Sequence, residues 1–169
     1  MNLCIAFFLS FLVMILKMHY GFVMHPFIPF LVLATNKPFI TFIWLGFLCG
    51  TCVDVFSSYP FGLVSLIYTA TAFFLSFFKK SFSEKKTPIF FINSLFASAV
   101  FSIFYLLALS ILTKEITFSF SSLAAELIFY CPLDALIGLL TLYFPLWAFE
   151  KSKQISFKRG FLKKRRIRG

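Results

Sequence analysis

The chain has 169 residues, of which 60% are apolar and only 13% are charged, and its formal net charge is +10. Water-soluble proteins contain roughly 45–50% apolar and about 25% charged residues, because polar groups must cover their surface. The composition therefore excludes an ordinary water-soluble domain, and the sequence predicts a single membrane-embedded bundle in which most side chains face hydrocarbon.

The first apolar block runs from Asn2 to Leu16 and is followed by a predicted connector with Lys17, His19 and His25. A helix pairs its own backbone polar groups, and each unpaired group in hydrocarbon costs several kcal/mol, so we expect the apolar blocks to be helices. This block has no basic residues before it and no small-residue cleavage site, which favours a retained helix over a signal peptide.

The second block, from Phe22 to Thr35, contains Pro26 and Pro29. Proline removes a helical hydrogen bond, so we predict a broken or re-entrant helix that lies against its neighbours. The third block runs from Phe39 to Ser57, and residues 58–62 form a predicted tight turn.

Three further blocks complete the chain. The fourth ends at Phe78, and residues 79–87 form a short charged loop. The fifth runs from Pro88 to Leu112, a polar connector covers residues 113–121, and the sixth spans Ser122 to Phe149. The predicted fold is therefore all-α, a polytopic membrane helix bundle with about six transmembrane helices.

The basic residues indicate an orientation. With both termini in the cytoplasm, the cytoplasmic segments hold Lys37, the four lysines between Lys79 and Lys86, and the nine basic residues after Glu150, whereas Lys17 and Lys114 lie outside. Cytoplasmic loops carry an excess of Lys and Arg, so this distribution favours cytoplasmic N and C termini and an even number of spans. Four spans with a re-entrant pair would separate the charges almost as well.

Residues 1–150 are predicted to form the transmembrane helical domain, and residues 151–169 a basic cytoplasmic tail. The tail interleaves apolar residues with cations, a pattern that favours binding to anionic lipid at about 1 kcal/mol per basic residue. An RNA-binding tail is the less favoured alternative, because few aromatic residues accompany the charges. We therefore expect a membrane partner and no nucleic acid.

Two glycines and a carboxylate share one face of the third block. Gly46 and Gly50 are spaced four apart, which allows a second helix to approach closely, and Asp54 follows one turn later. A carboxylate near the bilayer centre costs roughly 2.5–3.5 kcal/mol and needs a partner. The favoured partner is the turn at Ser57 and Ser58; the alternatives are proton or ion coupling and a polar contact with another helix or protein.

This pattern, Gly46-x-x-x-Gly50-x-x-x-Asp54 followed by Gly62, resembles the signature of the rod-shape-determining membrane protein family MreD. The size, the six-span layout and the basic tail also resemble that family. Its members carry helices similar in arrangement to the substrate-binding subunits of vitamin transporters of the energy-coupling-factor type. Many relatives have glycine where Ser58 stands, and Cys52 is unusual.

The resemblance implies a non-enzymatic subunit of the bacterial cell-elongation machinery (the elongasome), located in the cytoplasmic, or inner, membrane. It implies a scaffold that associates with a single-span MreC-like partner and, indirectly, with MreB filaments and peptidoglycan synthases. Gly46, Gly50, Asp54 and Gly62 are then the expected helix-packing or partner-contact residues. No catalytic residue and no cofactor is expected.

A second polar stripe lies on the last predicted helix, where Glu126, Tyr130, Asp134 and Gly138 recur every four residues and Pro132 is expected to bend the helix. Polar residues inside a span usually face protein or water rather than lipid, so internal packing is the favoured interpretation. The alternative is a polar cavity shared with the carboxylate of the third block. We expect no Lys or Arg at membrane depth to neutralise the two acids.

The cysteines and the histidines are two further groups of residues whose chemistry could form a site. Cys49 and Cys52 have the C-x-x-C spacing of thiol oxidoreductases, but they lie among apolar residues and are expected to be buried and unreactive. Cys4 and Cys131 are in different blocks and offer no second redox pair. His19 and His25 lack a third ligand and make a poor metal site, so no metal is expected. A vitamin-transporter subunit and, less favoured, a thiol oxidoreductase remain the alternative functions.

Overall fold

A computed structural model describes residues 3–20, 25–57, 60–79, 87–112, 120–148 and 151–152. The described regular structure is entirely helical. Its first five helices are α1 Leu3–Tyr20, α2 Ile28–Ala34, α3 Phe39–Asp54, α4 Leu63–Phe77 and α5 Thr87–Leu112. The all-helical prediction is confirmed for this part of the chain.

The last helix, here called the C-terminal helix, changes its geometry along its length. It comprises α6 Phe120–Ala125, a π-helical segment Glu126–Tyr130, α7 Cys131–Gly138 and a second π-helical segment Leu139–Tyr143, and it stays helical to Ala148. Pro132 is the second residue after the first π-helical segment. Because proline lacks an N–H, the wider turn coincides with the place where an α-helical hydrogen bond is lost.

Three helices have the length and composition to cross a bilayer: Leu3–Tyr20, Thr87–Ile111 and Leu123–Ala148. The helices α3 and α4 are equally apolar but have only 16 and 15 residues, or roughly 24 and 22 Å at about 1.5 Å per residue. Large apolar side chains such as Trp44 and Ile111 project from the bundle. These features are typical of a membrane protein.

The short helix α2 lies at the centre of the bundle. Six of its seven residues are buried, and it contacts α1, α3, α5 and α7. Pro29 stands in its first turn, where the missing N–H costs no hydrogen bond. Within the predicted second block, helix therefore begins only at Ile28, and its length of about 10 Å is far below the roughly 30 Å of a hydrocarbon core.

The helix α1 is longer than predicted. It continues to Tyr20, so that Lys17 and His19, which were expected in a connector, lie in its last turn. Cations are favoured at this position because the carbonyl end of a helix carries partial negative charge. At the other block boundaries, α3 ends at Asp54 rather than Ser57, and the predicted tail after residue 152 lies outside the described residues.

The bundle has two ends that differ in their charged groups. At the first, the Lys37 end, the Lys79 ammonium donates a hydrogen bond to the Lys37 carbonyl oxygen at 2.6 Å. At the second, the Asp54 end, Lys17 and Ser57 line one pocket beside the end of α3. Residues 25–37 therefore lead from the Asp54 end to the Lys37 end, although only seven of them are in α2.

Candidate functional site

Helices α3 and α4 form the most extensive helix pair of the structure, and the glycines of α3 lie at the contact. A methyl group added at Gly50 would overlap the backbone nitrogen and Cα of Ser65. One added at Gly46 would lie 2.8 Å from the Ala72 Cβ and 3.1 Å from the Tyr68 carbonyl oxygen. The two backbones are thus close enough that the absence of a side chain on α3 is a packing requirement, most strictly at Gly50.

The Asp54 carboxylate caps the first turn of α4. One of its oxygens accepts a hydrogen bond from the Val64 N–H at 3.0 Å, and the other accepts from the Ser65 N–H at 2.8 Å and from the Ser65 hydroxyl at 2.5 Å. These N–H groups have no partner within their own helix. The carboxylate also faces the positive end of the α4 dipole. Asp54 is only 3% exposed, so these donors stabilise a buried charge.

The turn after α3 does not make the expected hydrogen bond between Ser57 and the Asp54 side chain. The Ser57 N–H and hydroxyl both bond to the backbone carbonyl oxygen of Asp54, at 3.1 and 3.4 Å. The carboxylate is therefore directed to the next helix instead. Ser58, the other predicted partner, lies outside the described residues.

Gly62 precedes the first residue of α4 and has φ of +96°. This left-handed conformation is strained for residues with a Cβ. Glycine also supplies no side chain to cap the helix, and the Asp54 carboxylate takes that role from outside. Gly46, Gly50, Asp54 and Gly62 thus all contribute to one α3–α4 hairpin.

We expect Gly62→Ala to destabilise the protein by about 1 kcal/mol through its backbone conformation alone, since no atom lies within 4 Å of the added methyl group. Gly62→Asn should cost less, because asparagine tolerates the left-handed region better. The thermal unfolding midpoint of the detergent-solubilised protein measures both effects. Equal losses for the two variants would show that something other than the backbone angle matters there.

A second buried carboxylate, Asp134, joins three parts of the chain. Its oxygens accept hydrogen bonds from the His25 backbone N–H at 2.8 Å and from the Ser98 hydroxyl at 2.6 Å. It is only 2% exposed. Asp134 therefore fixes the start of the α2 segment and the middle of α5 to the C-terminal helix.

The rest of the second polar stripe also faces protein. The Ser102 hydroxyl donates a hydrogen bond to half-buried Glu126 at 3.4 Å, and Tyr130 is half-buried. A methyl group added at Gly138 would overlap the ring of Pro29. The stripe thus lies against α5 at one end and α2 at the other, although the π-helical segment changes the spacing between Glu126 and Asp134.

Two of the donors for this stripe, Ser98 and Ser102, belong to a regular row of serines on α5 that the sequence analysis did not identify. Ser94, Ser98 and Ser102 are spaced four apart on α5, and all three are completely buried. Hydroxyl groups at this spacing on an apolar helix place a polar line toward one neighbour. The four-residue spacing of these serines is visible in the sequence and could have predicted this polar line.

A small cavity of about 100 Å³ lies between the two carboxylate sites. It is lined by Val53, Ser57 and Val64 from the hairpin region and by Lys17 and His25 from the N-terminal part of the chain, together with Pro26, Tyr68, Phe101 and Tyr105. Neither carboxylate lines it, so this cavity does not correspond to the alternative interpretation of the stripe, a polar cavity shared by Asp54 and Asp134. Half-buried Lys17, in the last turn of α1, lines this cavity, whereas the expectation concerned Lys and Arg at membrane depth.

The cysteines and histidines do not assemble into a redox or metal centre in the described part of the chain. Cys49 is completely buried, Cys52 is half-buried, and all four cysteines are free thiols. His19 is exposed against the Tyr20 ring, whereas His25 is buried. No group of three potential metal ligands occurs among the residues described.

Comparison with family models, curated proteins and solved structures finds no match to this chain. The functional assignment therefore depends on the residues and contacts described above.

Proposed function

We propose that this chain is a non-enzymatic scaffold subunit of the bacterial rod-shape machinery, similar to MreD, in the cytoplasmic membrane. It would hold a single-span MreC-like protein and, through it, MreB filaments and the peptidoglycan synthases. The supporting observation is that the four residues of the resembling pattern act together. Gly46 and Gly50 permit the close approach of α3 and α4, Asp54 caps α4, and Gly62 forms the turn.

That observation supports the proposal because the pattern corresponds to one physical unit. Four scattered matches would have four unrelated environments, whereas these residues build a single hairpin with buried polar contacts. A hairpin with backbones in contact and a capped second helix is a rigid element. Such an element suits a protein that holds partners in fixed positions in the membrane plane.

We further propose six crossings, with the Lys37 end in the cytoplasm. The connector before α2 and α2 itself would make the second crossing as a broken helix. Non-helical backbone at membrane depth is tolerated where it is buried in protein, and the His25 N–H is bonded to Asp134 there. This orientation puts Lys37 and Lys79 on the cytoplasmic side and Lys17 on the outer side, in agreement with the positive-inside rule.

A second candidate function is a substrate-binding subunit of a vitamin transporter. It is favoured by a pocket of about 370 Å³ at the Asp54 end, because small-molecule sites usually enclose roughly 300–1,000 Å³. Retention of a small molecule by the purified protein in detergent would support it. The thiol oxidoreductase is less favoured, since a completely buried Cys49 is inaccessible to a protein substrate.

Depletion in a rod-shaped bacterial host that carries this chain tests the first proposal. We expect depleted cells to become round and to lose the pattern of lateral wall synthesis, and a tagged chain to copurify with a single-span membrane protein. Complementation by the Cys49→Ala/Cys52→Ala variant should restore the rods, which separates the scaffold from an oxidoreductase. Unchanged cell shape and wall labelling after depletion would refute the assignment.

A further inference from the structure

A buried histidine nitrogen has no hydrogen-bond partner among the residues that the structure describes. His25 is 9% exposed, and its Nε2 atom makes no hydrogen bond with the described residues. The imidazole lies against the Phe101 ring, with 4.4 Å between ring centroids, so apolar surface surrounds it on that side. A buried polar atom without a partner costs about 1–3 kcal/mol. A ligand or water at this atom would remove that cost.

The cavity beside His25 provides the space for such a partner. Its volume of about 100 Å³ accommodates about three water molecules at roughly 30 Å³ each. Lys17 and Ser57 supply further polar groups on its wall. Buried water needs about two to four polar partners, and Lys17, His25 and Ser57 supply polar groups among the mainly apolar residues of this wall.

The cavity adjoins a larger pocket of about 370 Å³ at the Asp54 end. Four residues line both spaces: Lys17, Pro26, Val53 and Ser57. The larger pocket adds Met14, Met18 and Phe56, which are mainly apolar. Lys17 therefore lies where the outer pocket adjoins the inner cavity, because it lines both.

The Asp134 carboxylate does not remove the need for hydration. Its two oxygens already accept hydrogen bonds from the His25 backbone N–H and the Ser98 hydroxyl. Ser102 similarly donates to Glu126. Both acids thus already have donors, and an ammonium removed from water needs several hydrogen-bond acceptors of its own.

We propose that these two spaces form a water-filled inlet that runs from the Asp54 end of the bundle, past Lys17, to a water-binding site at His25 Nε2. Water in the inner cavity bridges the imidazole and the Lys17 ammonium and keeps that cation hydrated inside an apolar bundle. The inlet does not depend on the cellular role proposed above, and its test is independent of it.

Cysteine accessibility tests the inlet. Val53 lines both spaces, and Val53→Cys places a thiol on the wall. Leu66→Cys is the matched control: it lies beside Ser65, at the same end of the bundle, but its side chain is 65% exposed on the outer surface. Both variants carry Cys52→Ala, because native half-buried Cys52 adjoins position 53; they are placed in lipid nanodiscs, treated with a charged methanethiosulfonate reagent, and analysed by peptide mass spectrometry. Native Cys49, which is completely buried, serves as the unreactive internal reference.

We expect the Val53→Cys thiol to react at least about tenfold faster than the Leu66→Cys thiol, because thiolate forms in water and not in hydrocarbon. Adding Lys17→Met should slow the reaction at Val53→Cys several-fold, whereas Lys17→Arg, which keeps the charge, should not. Gel filtration identifies the variants that remain folded. The comparison of the Val53→Cys and Leu66→Cys rates does not require the Lys17 variants. A Val53→Cys rate no higher than the Leu66→Cys rate would overturn the inlet.

Discussion

Replacing Gly50 by alanine is expected to separate α3 from α4 and to lower the free energy of unfolding by at least about 2 kcal/mol. The added methyl group meets the backbone of Ser65, including its nitrogen and Cα. Backbone atoms cannot move aside as a flexible side chain would, so the two helices must shift. That shift would also withdraw the Asp54 carboxylate from the start of α4.

The thermal unfolding midpoint in detergent measures this effect, with Gly46→Ala and Leu48→Ala as comparisons. Gly46→Ala meets a side-chain methyl at 2.8 Å and should cost less than Gly50→Ala. Leu48 is 49% exposed on the outside of the same helix, and its truncation should have little effect. A Gly50→Ala protein as stable as the Leu48→Ala protein would contradict the close contact of the two helices.

Replacing Asp54 by alanine is expected to cost about 2–4 kcal/mol, because three donors of α4 lose their acceptor. The Val64 N–H, the Ser65 N–H and the Ser65 hydroxyl would remain buried without a partner. Asp54→Asn keeps one acceptor oxygen but loses the charge and one of the two accepting positions. Its cost should therefore be intermediate.

Ser57→Ala is the control that separates the observed contacts from the predicted ones. The Ser57 hydroxyl bonds only weakly, at 3.4 Å, to the backbone carbonyl of Asp54 and not to its carboxylate. Its removal should change the free energy of unfolding by less than about 0.5 kcal/mol. The unfolding midpoint should therefore hardly move. If Ser57→Ala were as harmful as Asp54→Ala, the turn rather than the start of α4 would be the partner of this acid.

Gly50 and Asp54 belong to one contact, so their effects should not be additive. Once Gly50→Ala has separated the helices, the Asp54 carboxylate no longer reaches α4. Replacing Asp54 in that variant should therefore lower the free energy of unfolding by less than it does in the unchanged protein. Residues that share a network commonly show interaction energies of about 0.5–3 kcal/mol. A double variant as damaged as the sum of both single variants would indicate two independent roles.

The spacing of Gly46, Gly50 and Asp54 could be read from the sequence, since residues four apart share a helix face. The same reasoning located the stripe of Glu126, Asp134 and Gly138 on the last helix. It could not identify the hydrogen-bond donors, because Ser65 and Ser98 lie 11 and 36 residues from their acids. Such distances along the chain are closed only by the packing of separate helices.

Lys17 and α2 show the same limit. A lysine near two histidines predicts a polar connector. Lys17 is nevertheless part of α1, and its side chain lines a cavity. Two prolines indicated a broken helix between Phe22 and Thr35, but not that seven residues would occupy the bundle centre. Because Gly138 has no side chain, Pro29 packs directly against it, and α2 fits at the centre of the bundle.

The sequence by itself determined that the chain has the composition of a membrane protein and a helical structure, because so few charged residues cannot cover a water-soluble surface and helices pair their own backbone polar groups. It also determined the α3–α4 hairpin pattern, because helical periodicity is local. The tertiary structure alone decided that Asp54 caps α4, that Asp134 holds α2 and α5, and that Lys17 faces His25 across a cavity. Those arrangements depend on which buried donor lies nearest to each acid, and that is set by helix packing over the whole bundle.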